Sequence, residues 1–156
     1  MTTHLIRAND LANAPEYRVQ HQFNEQAIRL TRTLSTPTGM QRLGLHLVRV
    51  KSGLDSTTHH SHDADEEFIF VLSGRGIARI GEEEFAVGPG DFMGFPERSP
   101  AHSMRNCSDE DLVYLMGGES NPVDVVHYPD LSRSMIKSHG KRTFADWSDL
   151  SDVDKR

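Results

Sequence analysis

From residue 43 onward, apolar and polar positions alternate in short blocks, and glycine, proline and aspartate separate the blocks at near-regular intervals. Gly44-Leu45-His46-Leu47-Val48-Arg49-Val50 reads as a strand, turned by Lys51-Ser52-Gly53. Phe68–Leu72 is a near-continuous apolar strand closed by Ser73-Gly74. Gly76–Ile80 and Glu83–Val87, either side of Gly81-Glu82, make a hairpin. Gly88-Pro89-Gly90-Asp91 is a tight turn, and Phe92–Phe95 is a strand that ends at Pro96. Two more follow, His102–Asn106 and Leu112–Met116, parted by the polar turn Ser108-Asp109-Glu110. No helix-period stretch of useful length lies between residues 40 and 118. Short strands at this spacing predict an all-β sandwich or barrel.

The two ends are looser. Residues 1–30 read as a polar arm in which Pro15 breaks any early helix, with one short strand near Ala27–Leu30. Thr36-Pro37-Thr38-Gly39 is a turn. Val123–His127 reads as a last strand, stopped by Tyr128-Pro129-Asp130, and a short C-terminal helix is expected to start near Thr143. The pattern divides the chain into an N-terminal arm (1–42), a barrel domain (43–128) and a C-terminal extension (129–156).

Composition narrows the class. The chain has 156 residues, 36% hydrophobic and 26% charged, enough for one globular domain with a real core. A net charge of −6 argues against a nucleic-acid partner, which needs clustered Lys and Arg. The apolar runs are too short to span a bilayer, and Asn9, Asp10, Asn13 and Glu16 interrupt any signal-peptide core. Cys107 is the sole cysteine, so no intrachain disulfide is possible. A cytoplasmic protein is the expectation.

The chemistry concentrates in Thr58–Glu67, where three histidines and four carboxylates precede the Phe68–Leu72 strand. His60 and His62, two apart, project from one face of an extended chain. Glu67 shares a face with Ile69 and Val71, whereas Glu66, the competing carboxylate, falls with Phe68 and Phe70. Two imidazoles and a carboxylate converging from strands outline a metal site. His59 should point away from His60 as a solvated neighbour. His102, at the start of its own strand, can supply a third imidazole.

These residues resemble the two motifs of the cupin superfamily. The first appears as Gly53, His60-x-His62, Glu67 and Gly74, with six residues between Glu67 and Gly74; the second appears as Gly90, Pro96, His102 and Asn106. The resemblance covers residues 43–117. It departs from the family pattern in one extra residue between Gly53 and His60, in Arg98 at the place of a glycine, and in one extra residue before His102. These departures bear on loop shape rather than on the ligands. The resemblance implies an all-β double-stranded β-helix (jelly-roll) barrel in which His60, His62, Glu67 and His102 bind one divalent metal ion. It is also similar to a subgroup of small bacterial cupins named as sugar-phosphate isomerase-like.

Imidazole and carboxylate suit Fe(II), Mn(II), Ni(II) or Zn(II). In octahedral geometry four protein ligands leave two adjacent positions open for water, substrate or dioxygen, which supports Lewis-acid chemistry. Four-coordinate zinc held wholly by protein would instead be closed and structural. The expected function is a metal-dependent isomerase or dioxygenase acting on a small polar or sugar-derived molecule; the alternative is a sensing module that binds a small ligand in the same pocket. Asn106 either orients a ligand or pairs in its strand. His46 and Tyr114 are candidates to handle protons or bind substrate at the barrel mouth, with ordinary barrel lining or core the preferred reading. Arg49, Arg79 and Arg105 are candidate partners for an anionic substrate, with a solvated face the preferred reading, and Cys107 is expected to be a buried inert thiol. Exposed strand edges predict a homodimer.

Overall fold

In the computed structural model, which describes residues 3–151, the expected barrel forms from strands β3 (Leu43–Val50), β4 (Ser61–His62), β5 (Glu67–Ser73), β6 (Gly76–Ile80), β7 (Glu83–Val87), β8 (Phe92–Phe95), β9 (His102–Arg105), β10 (Leu112–Glu119) and β11 (Val123–Tyr128). Two strands precede it, β1 (Tyr17–His21) and β2 (Asn24–Thr33), and two follow, β12 (Arg133–Ser138) and β13 (Lys141–Asp146). They form three antiparallel sheets ordered β1-β2-β3-β10-β5-β8, β13-β12-β11-β4 and β7-β6-β9. A reciprocal backbone bridge joins the two smaller sheets: His60 N–H donates to the His102 carbonyl at 3.1 Å, and His102 N–H to the His60 carbonyl at 2.7 Å. The result is the jelly-roll barrel that the cupin resemblance implied, within the all-β sandwich or barrel that the alternation predicted.

The core follows from the period-two pattern. Val48 and Val50 on β3, Val71 on β5, Ala78 on β6, Met104 on β9 and Leu112 and Tyr114 on β10 are buried on the inner face. Each large apolar side chain so buried contributes about 1.5–3 kcal/mol. β10 lies between β3 and β5, in register from Leu112 opposite Val50 to Glu119 opposite Leu43. Glu67 opens β5 with its side chain on the Ile69 and Val71 face, while Phe70 and Leu72 face outward.

The ends differ from the sequence expectation. The arm contains a helix, Ala8–Asn13, before Pro15. The proline stops this helix rather than preventing it, because it drives the preceding Ala14 into an extended conformation (ψ 146°). The short strand expected at Ala27–Leu30 is a ten-residue strand, β2, paired with β1 on one side and β3 on the other. Its polar residues hid it: Ala27 and Thr31 alone are fully buried on β2, and its stability comes from pairing on both sides. β11 is not the last strand, and no helix starts at Thr143. β12 and β13 form a hairpin through His139 (φ 46°) and Gly140 (φ 85°), the two positive dihedrals of a type I′ turn. Helical structure there is limited to one 3₁₀ turn, Trp147–Asp149.

Candidate metal centre

The site is built where the strand ends of three sheets meet. His60 enters it from the bridge to β9, His62 from β4, Glu67 from the first position of β5 and His102 from the first position of β9. The Nε2 atoms of His60, His62 and His102 lie 3.5, 3.4 and 3.2 Å from the same Glu67 oxygen, Oε2. His60, His62 and Glu67 form the tighter group, with ligand atoms all within 4.8 Å of one another. His102 approaches the same oxygen with its ring 4.7 Å from that of His60 and held flat against Phe95 at 3.5 Å between centroids.

The outward nitrogens set how the inward ones present themselves. His60 Nδ1–H donates to the Thr58 carbonyl at 2.9 Å, and His62 Nδ1–H to Asp124 Oδ2 at 2.6 Å. With one proton fixed on Nδ1, Nε2 is the nitrogen each ring turns toward Glu67, and it is the atom open to a metal ion once its own proton is displaced. His102 Nδ1 is buried and lacks a partner among the described residues. A second acidic grouping, His62 with Asp65 and Asp124, lies behind the first. Its carboxylates are already engaged: Asp124 also accepts the Ala64 N–H at 2.9 Å, and Asp65 accepts the Asn121 N–H at 2.9 Å and pairs with Lys137. Asp124 supports His62 from behind.

Charge in this cluster is strongly displaced. Burial works to raise the Glu67 carboxyl, but hydrogen bonds from His102, His60 and His62 overcome it and hold the group far below the usual carboxylate range. Burial likewise works to lower His62, and Glu67 with Asp124 outweighs it, pushing that imidazole up to about 9. Burial dominates at His102 and pushes it down. Protons around this one anion are thus held unevenly, favoured at His62 and disfavoured at His102. A divalent cation bound in their place satisfies all three Nε2 lone pairs and the carboxylate together. The donor set fits a borderline first-row ion.

The cluster forms part of the wall of a cavity of about 570 Å³. Tyr114, Tyr128, Met116 and Gly117 line it from β10 and β11, and both ends of the chain close over it through Val19–Gln22 and through Arg142 and Phe144. Burial pushes both phenols up to about 12. His21 packs against Tyr128 at 5.0 Å, and Phe144 lies 6.1 Å from the same ring.

The other residues singled out by sequence resolve individually. Glu66 faces solvent. His59 points away from the cluster, as parity requires, but it is buried rather than solvated, because β9 covers that side and Ser103 Oγ lies 3.3 Å from its Nδ1. His46 is half-buried and does not line the cavity, whereas Tyr114 does. Asn106 is wholly buried and touches no histidine; it donates to the Val50 and Glu110 carbonyls at 2.9 and 2.7 Å and so pins a turn to the barrel. Arg49 pairs with Glu16 and Asp111, Arg79 with Asp130, and exposed Arg105 lies 3.9 Å from Asp55. Cys107 is exposed, not buried, because β9 ends at Arg105 and the chain then turns outward behind buried Asn106.

Sequence reasoning missed Asp124, and with it the orientation of His62. The signal was present: Asp124, Val126 and Tyr128 alternate with more exposed residues, which places a carboxylate on the buried face of an apolar strand. The contributions of His21, Arg29, Arg142 and Phe144 had no such signal, since they depend on both chain ends folding over the barrel.

An antiparallel jelly-roll barrel with a His-x-His…Glu…His cluster at its mouth defines the class, and a sequence profile described as the cupin domain matches residues 46–118. The chain belongs to the cupin superfamily. It is similar over 97% of its length, and 97% of the other chain, to a crystal structure from Acidithiobacillus ferrooxidans provisionally named a sugar phosphate isomerase, with 31% identity and a TM-score of 0.94. A cupin-superfamily structure from Silicibacter pomeroyi, also named a sugar phosphate isomerase, shares the fold at 22% identity and a TM-score of 0.78, over 90% of each chain. An uncharacterised protein of Methanocaldococcus jannaschii is 34% identical over 59 residues, 38% of this chain. That match spans 46% of the Methanocaldococcus protein, under half its length.

Proposed function

We propose that this cupin is a metal-dependent enzyme of the isomerase type, acting on a small polar, sugar-derived molecule. In this reading His60, His62, Glu67 and His102 hold one divalent ion. The observation that carries it is the convergence of three Nε2 atoms on one Glu67 oxygen at the wall of a cavity of about 570 Å³. A bound divalent ion supplies Lewis-acid polarisation of a substrate carbonyl or hydroxyl.

The protein's own groups then have definite tasks. Thr58 and Asp124 keep the protons of His60 and His62 on Nδ1. Tyr114 and Tyr128, both shifted to about 12, stay protonated at neutral pH and can donate hydrogen bonds to substrate oxygens. The cavity has apolar surface as well, from Phe144, Met116 and Val126, which limits water around a bound polyol. The Acidithiobacillus relative's name supports a sugar-derived substrate.

Metal analysis of the purified protein, followed by assays on aldose and ketose phosphates before and after chelation, tests this reading. Metal at one ion per chain and isomerisation lost with the metal are expected. Substrate-dependent oxygen uptake without isomerisation would replace the isomerase with a dioxygenase. A protein that takes up no divalent ion would overturn the proposal.

A further inference from the structure

The candidate metal ligands do not balance the charge of the cavity. Among the described residues that line it, Glu67 is the single carboxylate, and three imidazoles already engage it. Two arginines line the same cavity, Arg29 on β2 and Arg142 on β13. Among the described residues neither has a carboxylate at ion-pair distance; the same holds for Arg7, Arg18, Arg42, Arg75 and Arg98, but none of those lines this cavity. In a chain with a formal net charge of −6, two unpaired guanidiniums at one cavity stand apart from the background charge.

Arg29 is the more constrained of the two. Its side chain is half-buried, one Nη donates to the Ser56 carbonyl at 3.3 Å, and its Nε–H is buried with no acceptor among the described residues. A buried donor on a charged group costs free energy until an acceptor meets it. The neighbouring groups provide none of opposite charge: burial pushes His21 down toward its neutral form, and Tyr114 and Tyr128 stay protonated.

We propose that Arg29, assisted by Arg142, forms an oxyanion-binding end of the cavity that takes a phosphate or carboxylate group of the substrate. The inference rests on the reading of this cavity as the active site, and it narrows the substrate to an anionic molecule. A guanidinium presents a planar fork of N–H donors that matches two oxygens of one oxyanion. Because Arg29 belongs to the N-terminal strands and exposed Arg142 to the C-terminal hairpin, the anion site exists only when both ends have folded over the barrel.

Calorimetric titration of the full-length protein at low salt tests this, using inorganic phosphate in one series and malonate in another. Wild type is expected to bind at least one saturably. The tighter of the two identifies the group as phosphate or carboxylate. Arg29→Gln should weaken that binding by about tenfold or more, Arg142→Gln by less, and Arg29→Lys should fall between wild type and Arg29→Gln. All variants are compared at matched metal content, so an anion held only by the metal would bind Arg29→Gln unchanged and overturn the proposal. Failure of wild type to bind either anion saturably would overturn it too. Should Arg29→Gln not fold, exposed Arg142→Gln and the charge-retaining Arg29→Lys carry the comparison, and binding as tight as wild type in both would overturn it. Metal content is read separately: loss of metal with intact anion binding would strike the metal reading alone.

Discussion

Asp124 places a carboxylate inside an apolar strand, and its free energy is tied to one proton. It is 2% exposed, accepts from His62 Nδ1 and from the Ala64 N–H, and so both orients the imidazole and fixes its tautomer. Replacing Asp124 by Asn removes the charge that favours the Nδ1–H form. A fall in metal affinity of about 10–100-fold is expected, by chelator competition, with the fold intact on circular dichroism. Unchanged affinity would remove Asp124 from any part in the site. Asn106 makes the contrasting case of a motif residue whose role is mechanical. Asn106→Ala leaves the Val50 and Glu110 carbonyls without that donor, and denaturant unfolding should show a loss of about 1–3 kcal/mol. The variant's metal content should match wild type. At this scale much was legible: parity placed Glu67 on the cavity side and turned His59 away. The burial of His59 was not, because its cover is β9, a strand remote in sequence.

Besides the pairing of β2 with β3, an acidic residue placed just before β1 ties the arm to the barrel. Glu16 pairs with Arg49 on β3 and with Arg32 on β2. The hydrogen bond from Arg49 holds its carboxyl below the ordinary value of 4.5. Because the folded value is the lower one, the stabilisation is present above about pH 4.5 and is lost as the pH falls below it. Glu16→Gln is therefore expected to lower stability by on the order of 1 kcal/mol at pH 7. As the pH is lowered from 7 to below 4.5 the gap between thermal melts of variant and wild type should narrow, and a constant gap across this range would rule out the ion pair as its source. The hairpin of β12 and β13 illustrates what local pattern misses at the scale of elements. Lys141–Asp146 has no apolar alternation of its own, and its strand character comes from pairing with β12.

For the molecule as a whole, the two ends complete the cavity that the barrel begins, so site and stability are coupled. Removal of a bound ion by chelation should lower the melting temperature. An ion present at 100 times its dissociation constant stabilises the folded state by about 2.7 kcal/mol, and equal melts with and without chelator would count against a bound ion. A homodimer is the expected assembly. β8 is an open edge of the six-stranded sheet, and Phe70, Leu72 and Phe92 beside it are 37%, 45% and 64% exposed. Gel filtration should give the mass of two chains rather than 17.5 kDa, and elution as a monomer would end that expectation. No helix among the described residues is long and apolar enough to cross a membrane.

The sequence by itself determined the strands of the barrel and their inward faces, because period-two alternation and turn residues are local properties of the chain. The four side chains at its mouth came from the resemblance to the two cupin motifs. Tertiary structure alone decided the rest. It brought His60 and His102 into one backbone bridge, set Asp124 behind His62, and folded Arg29 and Arg142 over the cavity. Those contacts join residues far apart in sequence through strand pairing and burial, and no local pattern of polarity encodes which distant strand will supply the partner.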